Sequence, residues 1–147
     1  MSLRDWEANH WLLRHATSHE EIRDLLAVVE RDLIDAGARH LSPDWQLAIA
    51  YNAALQVATL ALAAEGYRPS RDRAHERAIL SLRFTLGADT DIVEMIDRVR
   101  RKRNVINYER VGTTSESEVR EMRAIAAQLH DRLITWMKQR HPELFKG

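Results

Sequence analysis

The chain has 147 residues, with 22 basic side chains, 22 acidic side chains and no cysteine. This length fits a single domain over residues 1–147 with a modest core, and the lack of cysteine excludes disulfides, thiolate metal sites and a cysteine nucleophile. The first residues carry charges throughout and contain no apolar stretch before a cleavage site. We therefore expect no signal peptide and a cytoplasmic protein.

Two helices are predicted in the first forty residues. Leu3 to Ala16 is predicted to form a short helix with Trp6 on its apolar side. A second helix begins at the capping box Ser18-His19-Glu20-Glu21, where the serine hydroxyl accepts a hydrogen bond from a free backbone N–H and a glutamate reaches back. Apolar residues then recur at helical spacing, and Gly37 is expected to end this helix.

An alanine-rich central helix is predicted from Pro43 to Glu65, after a serine cap and with proline at its first position. Gly66 is expected to stop it in a left-handed conformation. Residues 47–64 carry no formal charge and approach the length of a membrane span. A polar seam crosses them at helical spacing, formed by Asn52, Gln56 and Thr59. The sequence therefore predicts a buried central helix and no membrane association.

Three more helices are predicted after residue 70. The first runs from about Arg71 to Leu86 and is stopped by Gly87. A basic helix follows from Asp89 to about Arg110. A second capping box, Ser115-Glu116-Ser117-Glu118, begins the final helix, which continues through Arg140 until a proline breaks it.

The fold class is indicated by the lack of strand and hairpin signals along the chain. No segment alternates apolar and polar residues with a period of two, no Asn-Gly or Asp-Gly hairpin occurs, and no repeat is present. The sequence predicts an all-α protein. We expect an up-and-down helical bundle of four main antiparallel helices plus a short N-terminal helix.

Positive charge is concentrated in one stretch, Asp97 to Arg110, which holds six basic and two acidic residues. A polyanion is the natural partner of such a block. At about 100° per residue, an apolar stripe is predicted to face the core. It consists of Ile92, Met95, Val99 and Ile106. Cations, amides and a phenol occupy an adjacent arc, formed by Arg100, Arg103, Asn104, Asn107 and Tyr108.

The hexad Arg103-Asn104-Val105-Ile106-Asn107-Tyr108 resembles the signature of HEPN domains, in which an arginine and a polar residue precede a histidine on a basic helix. The resemblance extends to the alanine-rich segment Ala50 to Arg68, to His75 and to the last helix. It implies a small bacterial helical domain of the toxin or defence type. Such domains form homodimers in which arginine and histidine of two protomers cleave RNA without a metal.

Carried over to this chain, the resemblance makes Arg103 the residue that grips the scissile phosphate and Asn104 its polar neighbour. Tyr108 stands at the place of the histidine. The pKa of a phenol, about 10, makes it a poor base at neutral pH beside an imidazole near 6.5. Whether the chain cleaves RNA or only binds it stays open. The resemblance also gives His75 a supporting role, against the alternative of a helix-start or packing histidine.

The cationic and amide side chains around the hexad are predicted to bind RNA phosphates and sugars. They are Arg98, Arg100, Arg101, Lys102 and Asn107. Two alternatives stay open. The basic face pairs with carboxylates as a solvated surface, or it docks an acidic protein. A nucleotidyltransferase-type antitoxin is one such partner, although the tyrosine that these enzymes modify in some HEPN toxins is Arg110 here.

A few residues admit further readings. A metal cluster of His10, His15, His19 and Glu20 is conceivable from their proximity, but the helix is interrupted between them, and we predict neither a metal nor a cofactor. Packing in the core or in a dimer interface is predicted for four large side chains. They are Trp45, Tyr51, Leu55 and Trp136.

Overall fold

The structure is a computed structural model that describes residues 1–106 and 112–146, without the side chains of residues 104–106 and 146. It is mostly helical, which confirms the predicted all-α character. The elements in chain order are α1 Leu3–Ala8, β1 Leu12–Arg14, α2 His19–Asp35, α3 Pro43–Ala64, β2 Tyr67–Pro69, α4 Ala74–Thr85, α5 Thr90–Ile106, α6 Glu116–Arg140 and α7 Pro142–Lys146.

The predicted start signals of α3 and α6 and the stop signal after α3 are confirmed. The Ser42 side chain caps α3 by accepting a hydrogen bond from the backbone N–H of Trp45, and proline occupies the first turn. After α3, Gly66 has a φ of 87°, a left-handed conformation that glycine adopts without steric cost. At α6, Ser115 and Glu118 form both halves of the capping box.

The N-terminal prediction is wrong beyond the first helical turns. Instead of continuing to Ala16, α1 ends at Ala8, and the chain turns at His10, whose φ is 62°. The next residues form a short antiparallel ladder that pairs Leu12 with Pro69 and Arg14 with Tyr67. A three-residue strand is too short to show a period of two, and its partner lies more than fifty residues away. Helical spacing alone therefore could not reveal it.

Two other helix starts differ from prediction. Ser18 caps α2, but Glu21 does not return to the backbone of Ser18, because both of its oxygens lie 2.8 Å from Nε2 of His15. Helix α4 begins at Ala74 rather than at Arg71, since Arg73 takes a left-handed φ of 54°.

Helix α3 is the centre of the protein, as the sequence predicts. It packs most extensively against α2 and α6, and also against α4 and α5. Of the helices in the described ranges, it alone is long and apolar enough to cross a membrane, but 72% of its apolar window is buried inside the protein. Small alanine side chains allow the other helices to approach α3 closely on several sides.

Candidate anion-binding site at the end of α5

Helix α5 carries part of its positive charge on the buried side. Ile96 is fully buried against the core. Residues four and seven positions further along a helix lie on the same face, so Arg100 and Arg103 continue the line that Ile96 begins. Both arginine side chains are half-buried. The basic block therefore faces inward in part, towards α3 and α4.

The predicted apolar stripe of α5 is only partly correct. Val99 is buried, but Ile92 and Met95 are half-buried, and the buried positions of the preceding turn are Val93 and Ile96. The side chain of the fourth predicted member, Ile106, lies outside the described residues. The apolar residues of α5 allow two alternative stripes, which are offset from each other by one residue, or about 100° around the helix axis. The packing of α5 against α3 and α4 selects between them.

Tyr51 of α3 lies under Arg103. The guanidinium carbon is 5.5 Å from the ring centroid, which is within the range of a cation–π interaction. Tyr51 is only 1% exposed, and burial raises its pKa to about 12, although Arg103 and Arg100 oppose the rise. Its hydroxyl is therefore protonated at neutral pH, and among the described residues it has no hydrogen-bond partner. The prediction that Tyr51 and Leu55 pack in the core is confirmed.

Two other cations of the block are held by one carboxylate. Asp97 Oδ1 accepts a hydrogen bond of 2.8 Å from Arg100 Nε, and Asp97 Oδ2 lies 3.2 Å from Arg101. Burial alone would lower the pKa of Arg100, but the hydrogen bond and the charge of Asp97 raise it overall. Glu76 of α4 adds to this rise. The positive charge of Arg100 is therefore balanced mainly by Asp97, and Glu76 contributes through its charge.

Lys102 is held by the start of α6. Its Nζ donates to both oxygens of Glu118, at 2.6 and 2.7 Å, and to the carbonyl oxygen of Thr113 at 3.2 Å. Burial would raise the pKa of Glu118, but the hydrogen bonds from Lys102 and Ser115 lower it overall. Lys102 therefore joins α5 to the cap of α6, and its charge is balanced.

The remaining predicted residues differ in exposure. Arg98 is exposed and its guanidinium lies against the sulfur of Met95, while Arg101 is also exposed. His75 lies exposed in the first turn of α4, so the prediction of a helix-start histidine holds and that of a packing histidine is wrong. The side chain of Asn104, and all of Asn107, Tyr108 and Arg110, lie outside the described residues.

The chain after residue 111 is fixed to the start of α3. Gly112 donates its backbone N–H to Asp44 Oδ2 at 2.8 Å and has a φ of 80°. This hydrogen bond lowers the pKa of Asp44. The neighbouring Trp45 is 64% exposed and does not pack in the core, and its place in a dimer interface stays a prediction. Trp136 is partly buried and packs edge-on against His141.

His15 and His19, two of the residues that are close in sequence near the N-terminus, make separate contacts. His15 binds Glu21, and His19 Nδ1 lies 2.6 Å from the carbonyl oxygen of Leu144. Within residues 1–106 and 112–146, no group of three histidine or acidic side chains is arranged to hold a metal.

Three participants in this site were missed at the level of sequence. Asp97 was detectable, because it precedes Arg100 and Arg101 by three and four residues, the spacing of ion pairs on a helix. Tyr51 and Glu118 were not, since each lies on another helix and reaches α5 only in the folded chain. Comparison of the chain with family models, curated proteins and solved structures found no match.

Proposed function

We propose that this chain is a HEPN-like RNA-binding protein that acts as a homodimer, with the end of α5 as its phosphate-binding site. In this proposal, the four main helices around α3 run as an up-and-down bundle. Two copies of α5 meet across a two-fold axis, the commonest arrangement of homo-oligomers. The contacts of Arg103 with Tyr51 and of Lys102 with Glu118 support this role, because they bring the basic end of α5 beside α3 and the start of α6.

The single observation that carries the proposal is the environment of Arg103. Arg100, Arg101 and Lys102 all contact carboxylates, whereas no carboxylate among the described residues lies within 4.0 Å of Arg103. Its contact is the ring of Tyr51 instead. A guanidinium stacked on a ring keeps its N–H donors in a planar fork, which suits two oxygens of a phosphate.

Cleavage in this proposal is weak and requires no metal. Arg103 and Asn104 position the phosphate, and Tyr108 donates a proton or a hydrogen bond in the place of a histidine. A phenol exchanges protons poorly near neutral pH. We therefore expect the protein to be either a slow ribonuclease or an RNA-binding protein that does not cut RNA.

A second candidate function is a non-catalytic module that binds a protein. The exposed Trp45 favours it, because tryptophan is enriched among the residues that anchor protein interfaces. The partner would be acidic, such as a nucleotidyltransferase-type antitoxin.

RNA binding and cleavage by matched variants would test the first function. Arg103→Ala should weaken the binding of a fluorescent single-stranded RNA by about tenfold, through the loss of one charged phosphate contact. Arg23→Ala removes the same charge from the exposed face of α2 and should have little effect. Incubation with total RNA, with and without EDTA, measures cleavage. Equal affinities for the two variants would favour the protein-binding module.

The dimer requires its own measurement. Light scattering at tens of micromolar protein should give twice the mass of one chain. A strictly monomeric mass would contradict a site composed of two α5 helices.

A further inference from the structure

A second group of arginines lines an open cavity near the far end of α3. The cavity measures about 720 Å³, within the range of small-ligand pockets. Elements from the whole chain meet there: the start of α1, strands β1 and β2, the turn after α3, and the ends of α4 and α6. The four arginines in its wall are Arg4, Arg14, Arg83 and Arg140. This cavity is distinct from the α5 site and does not depend on the function proposed for it.

The arginines of the cavity exceed the carboxylates that face them. Arg14 binds Glu7 at 2.9 Å, and Arg140 binds Glu65 at 3.0 Å. No carboxylate among the described residues lies within 4.0 Å of Arg4 or Arg83. The cavity therefore holds two guanidinium charges in excess, which matches the charge of about −1.5 to −2 on a phosphate monoester at neutral pH.

Helix dipoles explain only part of this cluster. Arg83 and Arg140 lie in the last turns of α4 and α6, where a cation is stabilised by the helix dipole. Arg4 lies in the first turn of α1, where the dipole disfavours a cation, and Arg14 belongs to a strand. Arg14 is placed by its ion pair with Glu7, whereas Arg4 is explained neither by a dipole nor by a carboxylate within 4.0 Å among the described residues, so an anionic ligand is the simplest reason for its position.

The remaining walls suit a ligand with a flat apolar part. Phe84 and Tyr67 also line the cavity, and the guanidinium carbons of Arg83 and Arg14 lie 5.6 Å from their respective ring centroids. The hydroxyl of Tyr67 donates to Glu7 at 3.1 Å, which holds its ring in place. Phe84 is braced edge-on by Trp6 at 5.3 Å between ring centroids. A nucleobase can pack against the half-buried Phe84 or stack on a guanidinium plane, while the phosphate meets the N–H donors of the arginines.

We propose that this cavity binds a phosphate monoester attached to a planar group, as in a mononucleotide or the 5′-terminal nucleotide of an RNA chain. Arg4 and Arg83 are the residues that contact the phosphate, and Arg14 and Arg140 complete the positive wall. The site lies about 21 Å from Tyr51, since fourteen residues of α3 and its cap separate Tyr51 from Glu65 at 1.5 Å each.

Calorimetry on the full chain tests this proposal with four probes: adenosine monophosphate, inorganic phosphate, adenosine, and a short RNA with or without a 5′-phosphate. Adenosine monophosphate should bind more tightly than inorganic phosphate, and adenosine should not bind detectably. Preference for the 5′-phosphorylated RNA over its 5′-hydroxyl form, without binding of the free nucleotide, would identify an RNA end as the source. Adenosine binding as tightly as its monophosphate would overturn the proposal, as would no binding of any phosphate probe at millimolar concentration.

Variants locate the binding in the cavity. Arg83→Gln and Arg4→Gln should each weaken the binding of the monophosphate by about tenfold or more, because each removes a charged hydrogen-bond donor. Arg83→Lys should retain part of the affinity. Arg39→Gln, an exposed position before α3 and so at its opposite end, is the matched control. An equal loss in the control, or unchanged affinity in both cavity variants, would overturn the assignment. Arg4 and Arg83 are exposed, and circular dichroism checks that the variants fold.

Discussion

The two arginine-rich regions of this protein differ in how their charges are assembled and balanced. The basic residues of α5 are adjacent in sequence, and most are paired with Asp97 or Glu118. The cavity takes its arginines from four separate elements, and two of them face no carboxylate among the described residues. A dense run of charge therefore does not by itself give a strong field, because carboxylates placed nearby cancel it. Arginines that are far apart in sequence can form a cluster with fewer neighbouring carboxylates when the fold brings them together.

The largest expected effect concerns catalysis at the α5 end. Tyr108→His should raise RNA cleavage by about 100- to 10,000-fold, since it supplies a group that exchanges protons near neutral pH. Tyr108→Phe should abolish any cleavage and leave binding nearly intact, because the ring still stacks on a base. Both are measured with labelled RNA in EDTA. A Tyr108→His protein that folds and dimerises but cuts no faster would show that α5 does not hold a nuclease site.

The balance of charge on α5 is tested by removing its main carboxylate. Asp97→Asn should lower the free energy of unfolding by about 2 kcal/mol, because it leaves the half-buried Arg100 with a weaker partner. The same change should strengthen RNA binding and steepen its salt dependence by about one unit of slope, as one more cation meets phosphate.

Urea unfolding and RNA titrations at several salt concentrations measure both effects. Asp24→Asn, on the exposed face of α2, removes the same charge and should change neither. If Asp97→Asn binds RNA no better than the parent protein, its arginines do not face RNA.

Two tyrosines, one in each region, should respond oppositely to the same substitution. Tyr51→Phe removes a buried hydroxyl that has no partner among the described residues, so stability should rise by about 1 kcal/mol. Tyr67→Phe removes a hydroxyl that donates to Glu7, so stability should fall by a similar amount. Thermal and urea unfolding of both variants give the comparison. A loss of stability in Tyr51→Phe would mean that its hydroxyl is bonded in the folded protein.

The smallest effect is on acid unfolding. The pKa of Glu118 is lower in the folded protein than its ordinary value of 4.5, so its ionised form stabilises the fold. This contribution is complete above the ordinary value and is lost as the pH falls through the lowered one. Glu118→Gln should therefore destabilise the protein at neutral pH and show less further loss on acidification. Parallel pH profiles for the two proteins would contradict this.

The sequence predicted the features that depend on local chemistry. Ser42, Gly66 and the capping box at Ser115 act through backbone groups within a few residues, so their effects could be anticipated. The burial of α3 inside the protein followed from the polar seam that crosses its uncharged run. Tertiary contacts could not be anticipated in this way. The pairing of Arg14 with Tyr67 joins strands far apart in sequence, and Tyr51 meets Arg103 only after α3 and α5 pack.

The candidate site shows the same limit. The hexad pattern points to Arg103, but the residues around Arg103 decide whether its guanidinium can bind a phosphate. Nothing in the sequence shows that Lys102 pairs with Glu118, sixteen residues away, whereas no carboxylate among the described residues lies within 4.0 Å of Arg103. The cavity arginines form no motif, since they are spread from Arg4 to Arg140.

Because the cavity includes the short β1–β2 ladder, it should lose its structure at a lower temperature than the end of α5. Within the described residues, α1 packs mainly on β1, β1 pairs with β2, and only Trp6 of α1 and Leu12 of β1 are buried in the core. Such small peripheral units open locally at a lower free energy than a buried helical core. One opening event would carry Arg4 and Arg14 away together while α5 stays folded. Amides of β1 should thus exchange hydrogen faster than those of α3, and warming should dismantle the cavity before the α5 end.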